Sequence, residues 1–464
     1  MNFFGSLFKS LSAPTAIILA AAILLWSVPA AAAGFFLPTR GVESTARGGA
    51  SIAPGDATPD TIWHNPAGLT VLDDHELSVD LAMVHASVEH QRAPRQMDDG
   101  STRSYDPVQN QALPNFIPSI TAGGPTHIDD VHWGAGLYTH YAFGSRYPED
   151  GPQRYVLIDN VGSSLAYLHA AVGIELSDDV SVGVGIQNFV GNFRLVSAGS
   201  GYTGMFGDPE DEDLDILAEA NVTSFFSPSA NFGLSYQLSE RVHTGVSVQL
   251  PHIFSDNEAT IDTREPSHPS YDGAEITDNR VEVSVPFPFY VRAGARYAGD
   301  SFDIEAAVIY QHWSLLDEVV INPRDAQVSG AATIDDAYVQ PLTIPQEFQN
   351  TFSAHLGGQY NLTESIDLRG GYTYERGAVP DHRYSLFALD PDKHQISGGL
   401  GYSYDDWVID ATGAAIIMPS KTITDSEVRQ NNASDPDRDH SIVVANGSYE
   451  HFGFIVGLST RYRF

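Results

Sequence analysis

Cysteine is absent from all 464 residues. That removes disulfide frameworks, thiolate metal sites and cysteine nucleophiles together, and it suits an oxidising compartment, where stray thiols are a hazard. Basic residues are scarce: 24 Lys and Arg stand against 59 Asp and Glu, a formal net charge of −35. Phosphate binding needs a basic face, so nucleic acid is excluded as a partner. The acid itself has two readings: solvated loops, or outer loops that bind divalent cations or suit a salty medium. Apolar helical runs are missing beyond the N-terminus and the mean hydropathy is −0.16, which argues against a helical membrane protein. The 17 His residues show no paired metal-site spacing. Asp208 to Asp215 (DPEDEDLD) has the charge of a calcium loop without its glycine or closing Glu. No metal and no cofactor is expected. Gly183 to Gly185 lies inside a strand pattern and opens no helix, so no phosphate cradle is implied.

What is present is alternation. The last segment, His451 to Phe464, places Phe452, Phe454, Val456, Leu458, Tyr462 and Phe464 on one face, with Thr460 their only polar member. Small or polar residues occupy the other face, with Ile455 the misfit. A period of two is a β-strand with one apolar and one polar face. In a soluble sandwich the apolar face meets a core; in an outer-membrane barrel it meets lipid and the polar face lines the lumen. The terminal aromatic, Phe464, is also how such barrels present themselves to their assembly machinery.

Alternation recurs from residue 76. Strands are expected near 76–88, 114–123, 131–143, 163–176, 180–195, 225–238, 242–254, 280–297, 301–313, 351–362, 364–374, 393–404, 407–418 and 448–464. Fourteen is an even number, as single-chain bacterial barrels require. In 352–362 Phe352, Ala354, Leu356, Gly358, Tyr360 and Leu362 point outward, opposite Ser353, His355, Gly357, Gln359 and Asn361. Tight turns at 177–179, 239–241, 361–364 and 405–406 alternate with long polar segments at 89–113, 196–224, 255–279, 314–350, 375–392 and 419–447. Short turns at one rim and long loops at the other are outer-membrane barrel anatomy.

Residues 1–32 read as a secretory signal, with Lys9, an apolar stretch from Ala16 to Val28, Pro29, and small residues Ala30 to Ala32 for cleavage. Residues 33–75 are rich in Gly, Pro, Ala and Thr and alternate little, so short turns and helical pieces are expected. Trp63, Ile62, Leu69 and Leu72 still need burial there, as in a plug folded inside a lumen. The barrel proper then takes 76–464.

Four further stretches carry a resemblance. Asn65-Pro66-Ala67, followed by Gly68-Leu69, lies a few tens of residues after the expected mature start. Tyr141-Ala142-Phe143-Gly144 leads through Tyr147-Pro148-Glu149-Asp150 to Arg154-Tyr155. Trp313 sits in YQHWSLLDEV after an alternating strand, and Val379-Pro380-Asp381 follows Gly371-Tyr372-Thr373-Tyr374. With the signal, plug and strand count, this ordered set resembles the FadL-type outer-membrane transport family for long-chain fatty acids and other hydrophobic compounds. The resemblance implies a 14-stranded antiparallel transmembrane β-barrel with an N-terminal plug, in the outer membrane of a Gram-negative bacterium. It implies passive, ligand-gated uptake from a loop landing groove to an internal pocket. Exit is then sideways into the outer-membrane lipids, at an inward kink of the third strand around Phe143 and Gly144. The chain departs from the family before the triplet, where Pro54 and Pro59 flank Gly55 to Thr58.

Asn65, Pro66 and Ala67 are the plug and gating candidates. Asn65 either supplies partners to backbone freed by the kink or makes a plain Asn-Pro turn. Lysine is almost absent from the expected strands, so a ligand carboxylate needs arginine. Arg292, Arg296, Arg369 and Arg461 face inward by parity, and Arg194 is a fifth candidate. Each either holds a carboxylate bidentately or pairs with inward acids such as Asp303, Glu305 and Asp367. Tyr202, Met205, Phe206 and Leu217 are candidates for the landing groove. Two other functions stay open: an outer-membrane lipid hydrolase, for which Ser353 and His355 share an inward face, and a structural or adhesive surface barrel.

Overall fold

A computed structural model gives the architecture. It describes residues 35–36, 39–55, 58–97, 99–142, 144–202, 204, 207–273, 275–276, 278–329, 337–338, 341–432 and 441–464; the expected signal, together with Phe143, Met205 and Phe206, lies outside them. Fourteen antiparallel strands close a barrel. They are β1 (Glu76–Arg92), β2 (Asn115–Pro125), β3 (Val131–Tyr138), β4 (Ser164–Ser177) and β5 (Val180–Ser200). Four strands follow in two segments each: β6 (Asp215–Ser224 and Pro228–Ser239), β7 (Val242–Gln249 and His252–Arg264), β8 (Arg280–Phe287 and Tyr290–Ala298) and β9 (Phe302–Gln311 and Glu318–Pro323). The ring ends with β10 (Leu342–Pro345 and Thr351–Thr363), β11 (Ile366–Glu375), β12 (Lys393–Tyr404), β13 (Trp407–Ile423) and β14 (Gly447–Arg463). Closure is antiparallel between β1 and β14, from Glu76 opposite Arg463 to Arg92 opposite Gly447.

Period-two burial follows the sequence closely in the lower barrel. On β9, Phe302, Ile304, Val308 and Tyr310 are exposed while Asp303, Glu305, Ala307, Ile309 and Gln311 are buried. Such a band of outward apolar residues around a polar lumen is the lipid face of a membrane barrel. Ile455, the misfit of the last strand, is buried in the lumen in one cluster with Val84 and Ala414.

The long segments are less loop-like than expected. β5 runs on to Ser200, and the first segment of β6 begins at Asp215, inside the stretch 196–224 read as loop. This first segment pairs with β5, the second segment of β7 with β6, the first segment of β8 with β7, and the last segment of β9 with β8. One side of the wall therefore continues well above the ring. Between the two halves of β6, β7 and β8 the chain breaks at 225–227, 250–251 and 288–289, and the inward set changes parity. Arg292 and Arg296 face in below the β8 break, and Val281 and Val283 face in above it.

The segment 39–72 fills the lower lumen. It carries a short helix α1 (Val42–Ala46), a single turn α2 (Thr61–His64) and a 3-10 turn at Pro66–Val71. Ile62, Trp63, Leu69 and Leu72 are buried as their composition demanded. The lumen accepts this segment where the wall has no side chains. A Cβ on Gly183, Gly233 or Gly245 would lie within 2.3 Å of Pro66 carbonyl carbon, Asn65 Oδ1 or Ile52 O, respectively. Gly183 is the cross-strand partner of Gly233, so β5 to β7 form a flat seat for Asn65-Pro66-Ala67.

Candidate functional site

The third strand leaves the wall early. Its last ladder pair is Tyr138 with Tyr167 of β4, five residues before Phe143. Thr139 Oγ1 then accepts from Tyr141 N at 3.1 Å, and Tyr141–Ala142 pairs instead with Phe35–Phe36. Among the described pairings, nothing takes the place of β3 between Asn115–Ser119 of β2 and Ser164–Ala166 of β4. Gly144 is held further along, its carbonyl accepting from Asn110 Nδ2 at 2.9 Å. The turn inward carries His140 onto Trp63, ring centroids 3.5 Å apart. Trp63 is the centre of an aromatic set with Tyr138, Tyr167 and Tyr290.

Above that set lies an apolar cavity of about 200 Å³. Its walls are the inward faces of the upper segments, among them Val222 of β6, Phe254 of β7, Val283 and Phe287 of β8 and Ile321 of β9. The segment after β11 folds in as a cap through Val379 and Leu389. Tyr141, just past the kink, and Leu165, beside the gap in the wall, also line it. No Lys or Arg does, among the described residues. On the outer surface below the gap is a hollow bordered by Ile120, Ala122, Ala135, Leu137, Leu168 and Ile186.

The five candidate arginines are elsewhere, and four have acidic partners. Arg194 grips Glu219 with Nε (2.7 Å) and Nη2 (2.9 Å) and reaches Asp159. Arg296 donates to Asp303 at 3.1 Å. Arg369 pairs with Asp410 at 2.5 Å and reaches Glu43 at 3.5 Å, and Arg461 pairs with Glu43 at 3.1 Å. These last three pin the plug, because Asp303 also takes both terminal nitrogens of Arg47, and Glu43 belongs to α1. Glu305 accepts from Ile52 N (2.7 Å) and Ala53 N (3.0 Å). A charge taken out of water needs a close counter-charge, and in this lumen wall acids share that task with Arg47 and Glu43 of the plug. Arg292 differs. Its guanidinium lies 4.3 Å from the Trp63 ring centroid and 5.2 Å from that of Tyr290, while Nη1 and Nη2 have no hydrogen-bond partner among the described residues.

Of the two readings of Asn65, the contacts are those of the Asn-Pro turn and not of the kink. Its Oδ1 caps the following turn by accepting from Ala67 N at 3.1 Å, and its Nδ2 donates to Ile52 O at 2.9 Å and to Leu234 O of β6 at 3.1 Å. It ties the plug to β6 and not to β3, because the glycine seat brings β6 to it. Of the landing-groove candidates, Tyr202 and Leu217 fall among the described residues. Leu217 is a wall residue of β6, packed with Val196 and Tyr155, and the carbonyl of Tyr202 accepts from Asn432 Nδ2. Ser353 Oγ and His355 Nε2 are 2.7 Å apart, but His355 Nδ1 is 2.7 Å from Gly48 O and the pair is buried. This dyad is another tether of the plug.

A family model described as outer membrane protein transport protein (OMPP1/FadL/TodX) matches residues 23–464. The chain belongs to the OMPP1/FadL/TodX family. It is an outer-membrane transport barrel, and its family is one of transport proteins, not enzymes. Putative outer membrane protein NMB0088 of Neisseria meningitidis serogroup B is 24% identical over 494 residues, covering 97% of this chain and 98% of that one. A Pseudomonas aeruginosa FadL homologue of known structure shares the fold with a TM-score of 0.76 at 15% identity, covering 93% of this chain and 100% of that one. The toluene transporter TodX of Pseudomonas putida does so at 0.63 and 15%, with 92% and 99% covered.

The sequence pattern missed the cavity walls because a parity assigned below a break does not carry across it. It also passed over Glu375, Asp390 and Lys393. Lys393 opens β12 and lies 2.5 Å from Glu375 and 2.6 Å from Asp390; the signal for it was the DPDK run before that strand.

Proposed function

We propose that this chain is a passive, plug-gated channel for hydrophobic compounds. Cargo collects in the apolar cavity and leaves sideways where β3 quits the wall. The observation that carries this reading is the cavity: about 200 Å³, walled by Val, Ile, Leu and Phe, with no basic residue lining it among the described residues. Apolar cavities of ~150 Å³ stay dry and bind benzene, and each buried methylene gains roughly 0.8 kcal/mol. A water-filled pore offers neither. Exit through the gap beside Leu165 spares the cargo a return to water. The plug is 33–75, the barrel 76–464 and the signal 1–32; the outer-membrane lipids receive the cargo, and Phe464 engages the assembly machinery.

With no Lys or Arg among the described residues that line it, the cavity favours neutral cargo over a carboxylate, as in the toluene transporters among its structural neighbours. A fatty acid is the second reading. It rests on Arg292, whose Nη1 and Nη2 have no hydrogen-bond partner among the described residues and whose guanidinium lies behind Tyr290, the ring that meets the cavity-lining Tyr141 hydroxyl to hydroxyl at 3.4 Å.

Uptake of a radiolabelled neutral hydrocarbon by cells carrying the protein tests the reading. Val283→Trp fills the cavity and is expected to cut uptake at least tenfold, while the lipid-facing Val246→Trp leaves it unchanged. Equal uptake by Val283→Trp and the unaltered chain would remove the cavity from the route.

A further inference from the structure

The cavity is apolar along its walls and acidic at one end. Glu375, the last residue of β11, and Asp390, from the cap, both line it. Lys393 Nζ stands between them, 2.5 Å from Glu375 Oε1 and 2.6 Å from Asp390 Oδ1. The second oxygens are held from the protein side. Asp390 Oδ2 accepts from Ala378 N at 2.7 Å. Among the described residues, Glu375 Oε2 accepts one long bond, 3.3 Å, from Gln311 Nε2, whose own oxygen takes the Trp313 Nε1 hydrogen at 2.8 Å. Two carboxylates share one ammonium, so the end of the cavity carries a formal net charge of −1. The other polar liners Tyr141, Asn160, Gln311 and Gln346 are neutral. The neighbouring Arg376 is exposed.

A carboxylate oxygen has room for about two hydrogen bonds, and Glu375 Oε2 has one weak one. In a low-dielectric cavity an incoming anion meets uncompensated like charge, whereas an incoming donor completes an unfilled acceptor. We infer that the Glu375–Lys393–Asp390 end selects cargo whose apolar body ends in a hydrogen-bond-donating head, a hydroxyl or an ammonium, and rejects the carboxylate of equal length. This rests on the reading that the cavity holds the cargo.

The test is equilibrium binding of four ten-carbon probes to the full chain in nanodiscs at neutral pH, corrected with protein-free discs: decane, decanol, decylamine and decanoate. Decanol and decylamine are expected to bind at least tenfold more tightly than decanoate, with decane between them. Glu375→Gln removes the charge and keeps the shape. It is expected to reduce the preference for decylamine over decanoate at least fivefold and to leave decane unchanged. The ranking in the unaltered protein decides even if that variant does not fold. Decanoate binding as tightly as decanol while decane binds, or an undiminished preference for decylamine over decanoate in Glu375→Gln, overturns the selection and leaves the cavity reading standing. Failure of all four probes, decane included, overturns the cavity reading and the selection with it.

Discussion

Asn65 is fully buried and its side chain makes three hydrogen bonds: it accepts from Ala67 N and donates to Ile52 O and Leu234 O. Two of them fold the plug on itself and the third fastens it to β6. Asn65→Ala deletes all three and leaves one buried N–H and two carbonyls without their side-chain partner. At roughly 0.5–1.5 kcal/mol net per bond, the plug loses about 2–4 kcal/mol relative to the closed lumen. One factor of ten in an equilibrium corresponds to about 1.4 kcal/mol. Local opening of the plug therefore rises between about 30-fold and several hundred-fold. Hydrogen exchange followed by mass spectrometry on the protein in detergent reads this directly. Peptides from 39–72 are expected to exchange faster by that factor, while those from β11 to β14 stay protected. Asn65→Asp keeps the acceptor and sets a carboxylate against two carbonyls, so it is expected to open the plug at least as much. Unchanged exchange across 39–72 in Asn65→Ala would refute the claim that this side chain fastens the plug to the wall.

Three further outcomes follow from the charge pairs. Asp303→Asn leaves Arg47 of the plug and Arg296 of the wall without their shared buried counter-ion. Breaking a buried pair costs about 3–5 kcal/mol, so the thermal transition in detergent should fall; an unchanged midpoint would count against the plug being held by ion pairs. In the outer loops, burial raises the Glu210 carboxyl pKa, but Arg92, the Tyr105 hydroxyl and Arg95 outweigh it and hold the pKa below the usual range. Burial likewise raises Asp208, and the Arg95 hydrogen bond, Glu210 N and the Arg103 charge bring it down. Carboxyls depressed in the folded state stabilise above their unfolded pKa of about 4. That stability is lost as pH falls through the lower folded values. Limited proteolysis near 201–214 should therefore be slow at neutral pH and fast in strong acid, with the barrel still folded; pH-independent cleavage would contradict the assignment. Arg92→Gln should make the same loop cleavable at neutral pH.

The lower barrel was legible in the sequence because one period governs it. Lipid outside and a polar lumen inside give 352–362 and 451–464 a clean alternation, and all fourteen expected strands have a counterpart in the ring. The plug was legible by contrast, since Trp63 and Leu69 need burial in a segment that does not alternate. The upper wall was not, because apolar residues face inward there and the parity turns over at 225–227, 250–251 and 288–289. A run such as Val281 to Phe287 looks like any lipid-facing strand until its neighbours place it. The arginines were legible as inward residues and not as plug anchors, because the acids that hold them, Glu43 and Asp410, lie hundreds of residues away from one another. The kink was expected near Phe143, but Thr139 and His140 turn the chain first, and only the Tyr138–Tyr167 pair reveals where the ladder stops.

The most direct test of hydrophobic cargo in the upper cavity is the anomalous diffraction of crystals of this protein soaked with a bromoalkane. Bromine density is expected among Val222, Phe254, Val283 and Leu389, and its loss is expected in Val283→Trp. Ordered bromine in the lumen away from these residues, or bound bromoalkane that persists unchanged in the tryptophan variant, would contradict the account.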